Sequence, residues 1–183
     1  MDNRDRPQMV EVAFDCARRG DFRGVAEICR GILADEPDQP DALHCMGLLY
    51  RRTGNQAAAI DCHERAVRGR PENAEYRNAL GLAYRAAERI ADAIDSYETA
   101  LGIDPEFIDA YVNLGQAHLS RGDVRPAVAR LRDAVERRPG QSFLHVQLGR
   151  ALLAQGDRRA AEAAFRRALT LDPQAQNEGP TSA

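Results

Sequence analysis

Residues 80–105 read LGLAYRAAERIADAIDSYETALGIDP, and this stretch decides the fold. Apolar residues recur at intervals of three and four in both of its halves. Leu80 and Tyr84 show this spacing in the first half, and Ala93 and Tyr97 show it in the second. Such spacing is typical of amphipathic helices. The proline that closes the stretch cannot continue a helix, because it has no amide hydrogen to donate. The stretch therefore predicts two helices joined by a short turn.

The same pattern returns every 34 residues along the chain. A proline column consists of Pro37, Pro71, Pro105, Pro139 and Pro173. A small-residue column consists of Ala13, Gly47, Gly81, Gly115 and Gly149. A turn column consists of Gly20, Gly54, Glu88, Gly122 and Gly156. A fixed period of this length is the signature of a repeat architecture. We therefore predict ten helices, with breaks near residues 20, 38, 54, 72, 88, 106, 122, 140 and 156.

Each column has a physical interpretation. The turn column follows the first helix of each pair, where a left-handed residue closes the helix and glycine is preferred. Glu88 departs from glycine there, at an expected cost of about 1 kcal/mol. The small column predicts close approach of two helix axes, where a larger side chain would overpack by about 1–3 kcal/mol.

The unit resembles the tetratricopeptide repeat of bacterial-type arrays. The third unit carries the motif as Leu80-Gly81-Leu-Ala-Tyr84 and then Ala93 to Leu101, before Asp104-Pro105. The resemblance implies an all-α, right-handed solenoid of five helix-turn-helix repeats. These repeats span 6–39, 40–73, 74–107, 108–141 and 142–175, between an N-terminal extension at 1–5 and a flexible tail at 176–183.

Composition narrows the functional classes. The chain has 183 residues, of which 44% are apolar and 29% are charged. Its net charge of −3 disfavours a nucleic-acid binder, although all 25 basic residues are arginine. The sequence contains no apolar run of about 18 residues that would insert into a membrane. The four cysteines form no Cys-x-x-Cys pair, which favours a reducing, cytoplasmic location.

Catalytic and metal-binding motifs are missing from the sequence. There is no nucleophile elbow, phosphate loop or dinucleotide fingerprint. One cluster has metal-ligand residue types, namely His44-Cys45 and Cys62-His63. In the repeat these four side chains fall on two surfaces, so we expect ordinary packing, with no metal and no cofactor.

The resemblance implies a partner-binding groove on the inner, concave surface, lined mainly by the first helix of each pair. The candidate groove residues are His44, Leu48, Arg51, Arg52, Asn78, Leu82, Arg85, Asn113, Gln116, Gln147 and Arg150. Arg18, Arg51, Arg52 and Arg85 cluster along one edge, which points to an acidic partner segment held by guanidinium groups. The alternative is that arginines at helix C-termini, and the acids Asp41, Glu75 and Asp109 at helix N-termini, merely suit the helix dipole.

The predicted function is a non-catalytic scaffold or adaptor that binds a partner peptide or helix. The alternative, from a different class, is an N-terminal targeting or substrate-recognition module of a larger bacterial transferase. A sulfotransferase, a methyltransferase or an enzyme similar to the O-linked GlcNAc transferases would fit that alternative.

The end of the last repeat is a candidate association surface. In a continuing array, the next helix would cover Phe165, Ala168, Leu169 and Leu171. Here only a short polar sequence follows Pro173. Three explanations stay open: a weak homodimer through this end, a docked partner, or a chain that is part of a longer protein.

Overall fold

The computed structural model describes residues 6–173, and over this range it contains helices and no strand. The helices are α1 Arg6–Arg19, α2 Phe22–Asp35, α3 Pro40–Arg52, α4 Gln56–Gly69, α5 Ala74–Ala86, α6 Ile90–Ile103, α7 Ile108–Arg121, α8 Val124–Arg137, α9 Ser142–Gln155 and α10 Arg158–Leu171. All nine predicted breaks fall between these helices, so the predicted helix pattern is confirmed. The predicted extension at 1–5 and the predicted tail at 176–183 lie outside the described residues.

The chain divides into two compact blocks after Ile103. The N-terminal block contains α1 to α6, and the C-terminal block contains α7 to α10. Within each block the two helices of a repeat pack on each other, and the second helix also packs on the first helix of the next repeat. The first helices contact one another as well, α1 with α3 and α3 with α5 in one block, and α7 with α9 in the other.

Polar side chains begin several of the helices. Asp21, Asn55, Asn73 and Asp157 each accept a hydrogen bond from the backbone amide three residues ahead, at 2.9–3.2 Å. These bonds satisfy amides that have no partner inside the helix, which is why such residues favour helix starts. The turn at each of these starts is therefore specified by local sequence.

The turn column adopts the left-handed backbone conformation throughout, with φ between 60° and 90°. Four of its members are glycine. Glu88 is the one residue other than glycine with positive φ among residues 6–173, at φ 60°. Because a side chain is disfavoured in this conformation, the turn between α5 and α6 is strained where the other four are not.

The small column creates the contact that joins each helix pair. A Cβ atom built on Gly81 would lie 2.5 Å from the Tyr97 ring, far inside van der Waals contact. The equivalent glycines 47, 115 and 149 face His63, Leu131 and Phe165 at 2.5–2.8 Å. The large side chain of the second helix thus lies directly on the backbone of the first, which brings the two axes close together.

We expect Gly81→Ala to destabilise the protein by about 1–3 kcal/mol, because the new methyl group overlaps the Tyr97 ring. Gly102→Ala is the matched control. Gly102 is also helical, has nothing within 4 Å of the added Cβ, and should gain about 0.4–1 kcal/mol. Urea unfolding followed by circular dichroism measures both changes. Equal effects of the two substitutions would contradict the packing assigned to the small column.

We expect Glu88→Gly to stabilise the protein by about 1 kcal/mol, because glycine adopts positive φ without steric cost. Glu98→Gly makes the same chemical change at an exposed position inside α6, and should destabilise by about 1 kcal/mol. Thermal unfolding of the two variants beside the wild type checks the opposite signs.

Candidate partner-binding surfaces

The first-helix face of the N-terminal block consists of the accessible side chains of α1, α3 and α5. Arg51 and Arg52 are exposed at the C-terminal end of α3, and Leu48 lies half-buried one turn earlier. Leu82 and Arg85 occupy the equivalent positions on α5 and are also half-buried. Five of the predicted groove residues therefore share a face with both apolar and cationic character.

Two predicted groove residues lie beneath this face. His44 is 1% exposed and Asn78 is 7% exposed, so neither offers side-chain surface to a partner in this structure. His44 stacks on the Tyr76 ring with centroids 4.6 Å apart, and it lies 6.0 Å from the ring of Phe14. The His44 ring on α3 thus contacts a ring of α1 and a ring of α5 beneath the first-helix face.

The four predicted edge arginines have different environments. Arg18 pairs with Asp15 on its own helix. The Arg52 guanidinium lies 5.0 Å from the centroid of the Phe22 ring, a cation–π contact. Arg51 makes no ion pair within residues 6–173, and Arg85 is half-buried. The positive charge that stays accessible on this face is centred on Arg51.

Arg51 and Arg85 occupy equivalent positions on α3 and α5, two helices that contact each other. Burial raises the pKa of Tyr97 to about 12, and the charges of both Arg85 and Arg51 oppose that rise. The charges of both arginines therefore act on the Tyr97 hydroxyl. That hydroxyl is buried and has no hydrogen-bond partner among the described residues. Two cations that share one small region can hold a carboxylate together.

One carboxylate of the predicted acidic column is already bound by other side chains of the chain. Asp41 binds the Arg70 guanidinium through two bonds of 2.7 and 2.9 Å, and it also accepts a hydrogen bond from the Tyr76 hydroxyl. Its carboxylate therefore links α3 to the end of α4 and to α5. Glu75 is 70% exposed and has one carboxylate oxygen 3.8 Å from His44 Nε2. Asp109, in the other block, is exposed.

The histidines of the predicted metal-ligand cluster meet below the surface. The His44 and His63 rings have centroids 5.2 Å apart, and neither ring nitrogen of either residue has a hydrogen-bond partner among the described residues. Burial lowers the pKa of His44 to about 4 and the pKa of His63 to about 3. Both rings are therefore neutral at pH 7.

The cysteines of that cluster have other neighbours. A hydrogen bond with Cys29, together with burial, raises the pKa of the Cys45 thiol. Burial likewise raises the pKa of Cys62 to about 11. Among residues 6–173, no three histidine, cysteine, aspartate or glutamate side chains are grouped so that they could hold a metal ion.

The first-helix face of the C-terminal block is built on α7 and α9. Gln116 Nε2 lies 3.5 Å from Gln147 Oε1, so these two predicted residues meet across the two helices. Asn113 is half-buried on α7, and Arg150 is exposed on α9.

The same face carries two exposed apolar side chains that are not among the predicted groove residues. Phe143 is 45% exposed and Leu153 is 50% exposed, which is unusual for large apolar residues in a helical repeat. With Val146 and Arg150 they form one stripe along α9 at spacings of three and four residues. The sequence of α9 indicates this exposed stripe, because apolar residues occur on two opposite faces of the helix and only one face can pack against neighbouring helices.

The predicted association end is mostly covered within its own repeat. Ala168 is 2% exposed, and its carbonyl accepts a hydrogen bond from the Ser142 hydroxyl. Phe165 lies against Gly149, and Leu169 and Leu171 are half-buried. The exposed residues of α10 are mostly charged: Arg158, Arg159, Glu162, Arg166 and Arg167. The apolar surface that this end offers for association is therefore limited to half-buried side chains.

Family models place the chain among known repeat proteins. A TPR repeat model matches residues 81–122, and tetratricopeptide repeat models match residues 107–138 and 142–175. With the helix pairs and their glycine contacts, these matches define a tetratricopeptide-repeat protein. The chain belongs to the tetratricopeptide-repeat family, and its fold is an all-α repeat solenoid. The predicted family and fold class are confirmed.

Solved structures of the same fold are similar over nearly the whole chain. MamA superposes with a TM-score of 0.79 at 24% identity, over 91% of this chain and 97% of MamA. TTC0263 from Thermus thermophilus gives 0.75 at 17% identity, over 94% of each chain. YrrB, described as a TPR protein with an unusual peptide-binding site, gives 0.72 at 18% identity, over 92% of this chain and 87% of YrrB. No curated protein sequence matches the chain.

The fold and its relatives support a coarse functional conclusion. Proteins of this family are generally non-catalytic scaffolds that bind other proteins or peptides, so this chain is a protein-interaction scaffold. None of the helices within residues 6–173 has the length and apolar character needed to cross a membrane.

The buried histidine pair predicts acid-sensitive stability. Because the folded pKa values of about 4 and about 3 lie below the unfolded value, the unfolded chain binds more protons once the pH falls below about 6.5. The contribution of the two histidines to the free energy of unfolding is therefore fully present above about pH 6.5 and is lost as the pH falls. The loss reaches about 1.4 kcal/mol per pH unit for each histidine.

We expect His63→Phe to reduce this pH dependence by about half between pH 6.5 and 5. Tyr97→Phe is the matched control, because Tyr97 occupies the equivalent repeat position and does not titrate in this range. Urea unfolding at a series of pH values measures the slope for each variant. An unchanged slope in His63→Phe would show that His63 is not responsible.

Proposed function

We propose that the first-helix face of the N-terminal block binds an acidic segment of a partner protein, and that the chain acts as a non-catalytic adaptor. The observation that carries the proposal is that Arg51 and Arg85 occupy equivalent positions on the adjacent helices α3 and α5, with the exposed Arg51 guanidinium outside any ion pair among the described residues. Arg51 is exposed and has no carboxylate partner among the described residues. A carboxylate of a partner protein would give Arg51 the ion pair that it does not form within residues 6–173.

Apolar side chains beside the arginines give the same face a second kind of contact. Leu48 and Leu82 lie one turn before Arg51 and Arg85, and both are half-buried. A segment that alternates acidic and apolar residues would match this arrangement. The two arginines would set its orientation, and the leucines would contribute the burial of apolar area.

The C-terminal block offers a different surface for the same partner or for another one. Its first-helix face combines the amide groups of Asn113, Gln116 and Gln147 with the exposed Phe143 and Leu153. Amide side chains both donate and accept hydrogen bonds, so they suit the backbone of a bound peptide. We assign this block an extended, apolar partner segment whose backbone hydrogen-bonds to these amides.

Two further proposals concern assembly and context. The half-buried Leu169 and Leu171 support a weak homodimer, or a docked partner, at the end of α10. A cytoplasmic location is proposed from the cysteine pattern. The alternative of a recognition module in a larger bacterial transferase stays a prediction, and its test is whether the natural reading frame continues beyond Ala183.

We expect a fluorescein-labelled octaglutamate peptide to bind the wild type with a Kd on the order of 10 μM, about −7 kcal/mol. Arg51→Glu with Arg85→Glu should weaken binding at least about tenfold, since each reversal replaces an attraction by a repulsion. Added salt should weaken wild-type binding, because exposed charges are screened over about 10 Å at 0.1 M. Fluorescence anisotropy measures all three.

The matched control is Arg30→Glu with Arg68→Glu. It makes the same change in net charge at exposed positions on the second helices α2 and α4. Its affinity should stay within about twofold of the wild type, because long-range charge alone is screened. If both double variants lose binding equally, the first-helix face is not the site. Capture from a native lysate with the same proteins then identifies the natural partner.

A further inference from the structure

The outward faces of the second helices α4, α6, α8 and α10 differ in charge, whereas the equivalent face of α2 mixes Arg23, Glu27 and Arg30. Three positions on each of these helices, separated by four and three residues, lie on one face. In repeats two and three they are Ala57, Asp61, Glu64 and Ala91, Asp95, Glu98. In repeats four and five they are Arg125, Ala129, Arg132 and Arg159, Ala163, Arg166. All twelve are exposed except the half-buried Glu64.

The basic face consists of Arg125, Arg132, Arg159 and Arg166. The two arginines of each helix are seven residues apart, about 10.5 Å along the axis. None of the four makes an ion pair within residues 6–173. On this face Ala129 lies between the two arginines of α8, whereas Ala163 and the exposed Glu162 lie between those of α10. The helices α8 and α10 together contain eight arginines and three acidic residues.

The acidic face consists of Asp61, Asp95 and Glu98. Asp95 and Glu98 lie on α6, which contains three acidic residues and no basic one. Neither makes an ion pair among the described residues. Asp61, on α4, lies 3.5 Å from Arg65. Glu64 is excluded from this face, because it accepts a hydrogen bond of 2.7 Å from the Tyr84 hydroxyl.

We propose that the basic face of one copy docks on the acidic face of a second copy. The two faces are opposite in charge and also complementary in size. Where one has Ala91, the other has Arg125, and where one has Asp95, the other has Ala129. When the faces meet in register, each long side chain at these two positions therefore meets a small one. Guanidinium and carboxylate groups also form two parallel hydrogen bonds, which fixes their geometry.

A second copy suits the basic face better than a polyanion. Nucleic-acid binders usually carry a net basic charge, whereas this chain has a net charge of −3. The acidic residues would oppose a long polyanion, while they supply the docking surface for a second copy. Because the two docking faces differ, the contact is heterologous and each copy keeps one face free. Assemblies larger than a dimer are therefore expected, as a ring if the rotation closes and as an open chain if it does not.

Sedimentation velocity of the purified chain, up to about 500 μM, tests the proposal. At about 0.02 M salt, where screening is weak, the wild type should show concentration-dependent assemblies, and these should dissociate at about 0.5 M salt. Two variants remove one face each: Asp95→Arg with Glu98→Arg, and Arg132→Glu with Arg166→Glu. Each alone should bind itself at least about tenfold more weakly. An equimolar mixture of the two should associate again, because the intact basic face of the first variant docks on the intact acidic face of the second.

Matched controls keep the net charge of these variants and leave both faces intact. They are Glu72→Arg with Glu88→Arg, and Arg19→Glu with Arg68→Glu, all at exposed positions. Both controls should assemble as the wild type does. Circular dichroism confirms that every variant keeps its helicity.

Four results would overturn the proposal. The first is a wild type that stays monomeric across the whole range at low salt. The second is assembly that survives both face variants. The third is assembly abolished only by Leu169→Glu with Leu171→Glu, which would assign the contact to the end of α10. The fourth is binding of a DNA duplex of about 20 base pairs, or of phosphatidylglycerol vesicles, to monomeric wild type through Arg132 and Arg166.

Discussion

The close contact between a glycine of the first helix and a large side chain of the second is the constraint on which the rest of the structure depends. In the third repeat the Tyr97 ring lies on the backbone of Gly81, and there is no room even for a methyl group. This contact sets both the distance between the two helices and their rotation about their own axes. It thereby decides which side chains of α5 and α6 face a neighbouring helix and which face solvent.

The identity of the large side chain then modifies each repeat. Tyr97, Leu131 and Phe165 fill the space mainly with carbon. In the second repeat His63 occupies the same position and lies 5.2 Å from His44, which is also buried. An aromatic ring of suitable size satisfies the packing requirement, but a histidine adds ring nitrogens that have no partner there. The second repeat therefore has the same shape as the others and a different dependence on protonation.

Positions that the contact leaves outside are free to differ in charge from repeat to repeat. The outward face of α6 is acidic and those of α8 and α10 are basic, although each of the three packs on the first helix of its own repeat. On the first helices, likewise, Arg51 is left accessible while Asp41 is held by Arg70 and Tyr76. Scaffold function is compatible with such variation, because exposed charges contribute little to folding and much to the choice of partner.

The sequence by itself determined the helices, their breaks and the family, because glycine at positive φ, proline after a helix and a small residue at a close contact are local requirements that recur with a period of 34. It also predicted that Arg51, Arg52 and Arg85 lie near one another. Only the tertiary structure decided that His44 and Asn78 are buried, that Asp41 is engaged by Arg70, and that Phe143 and Leu153 are exposed. The physical reason is that periodicity assigns a residue to a face of its own helix, whereas burial depends on which side chains of the neighbouring helices extend over that face.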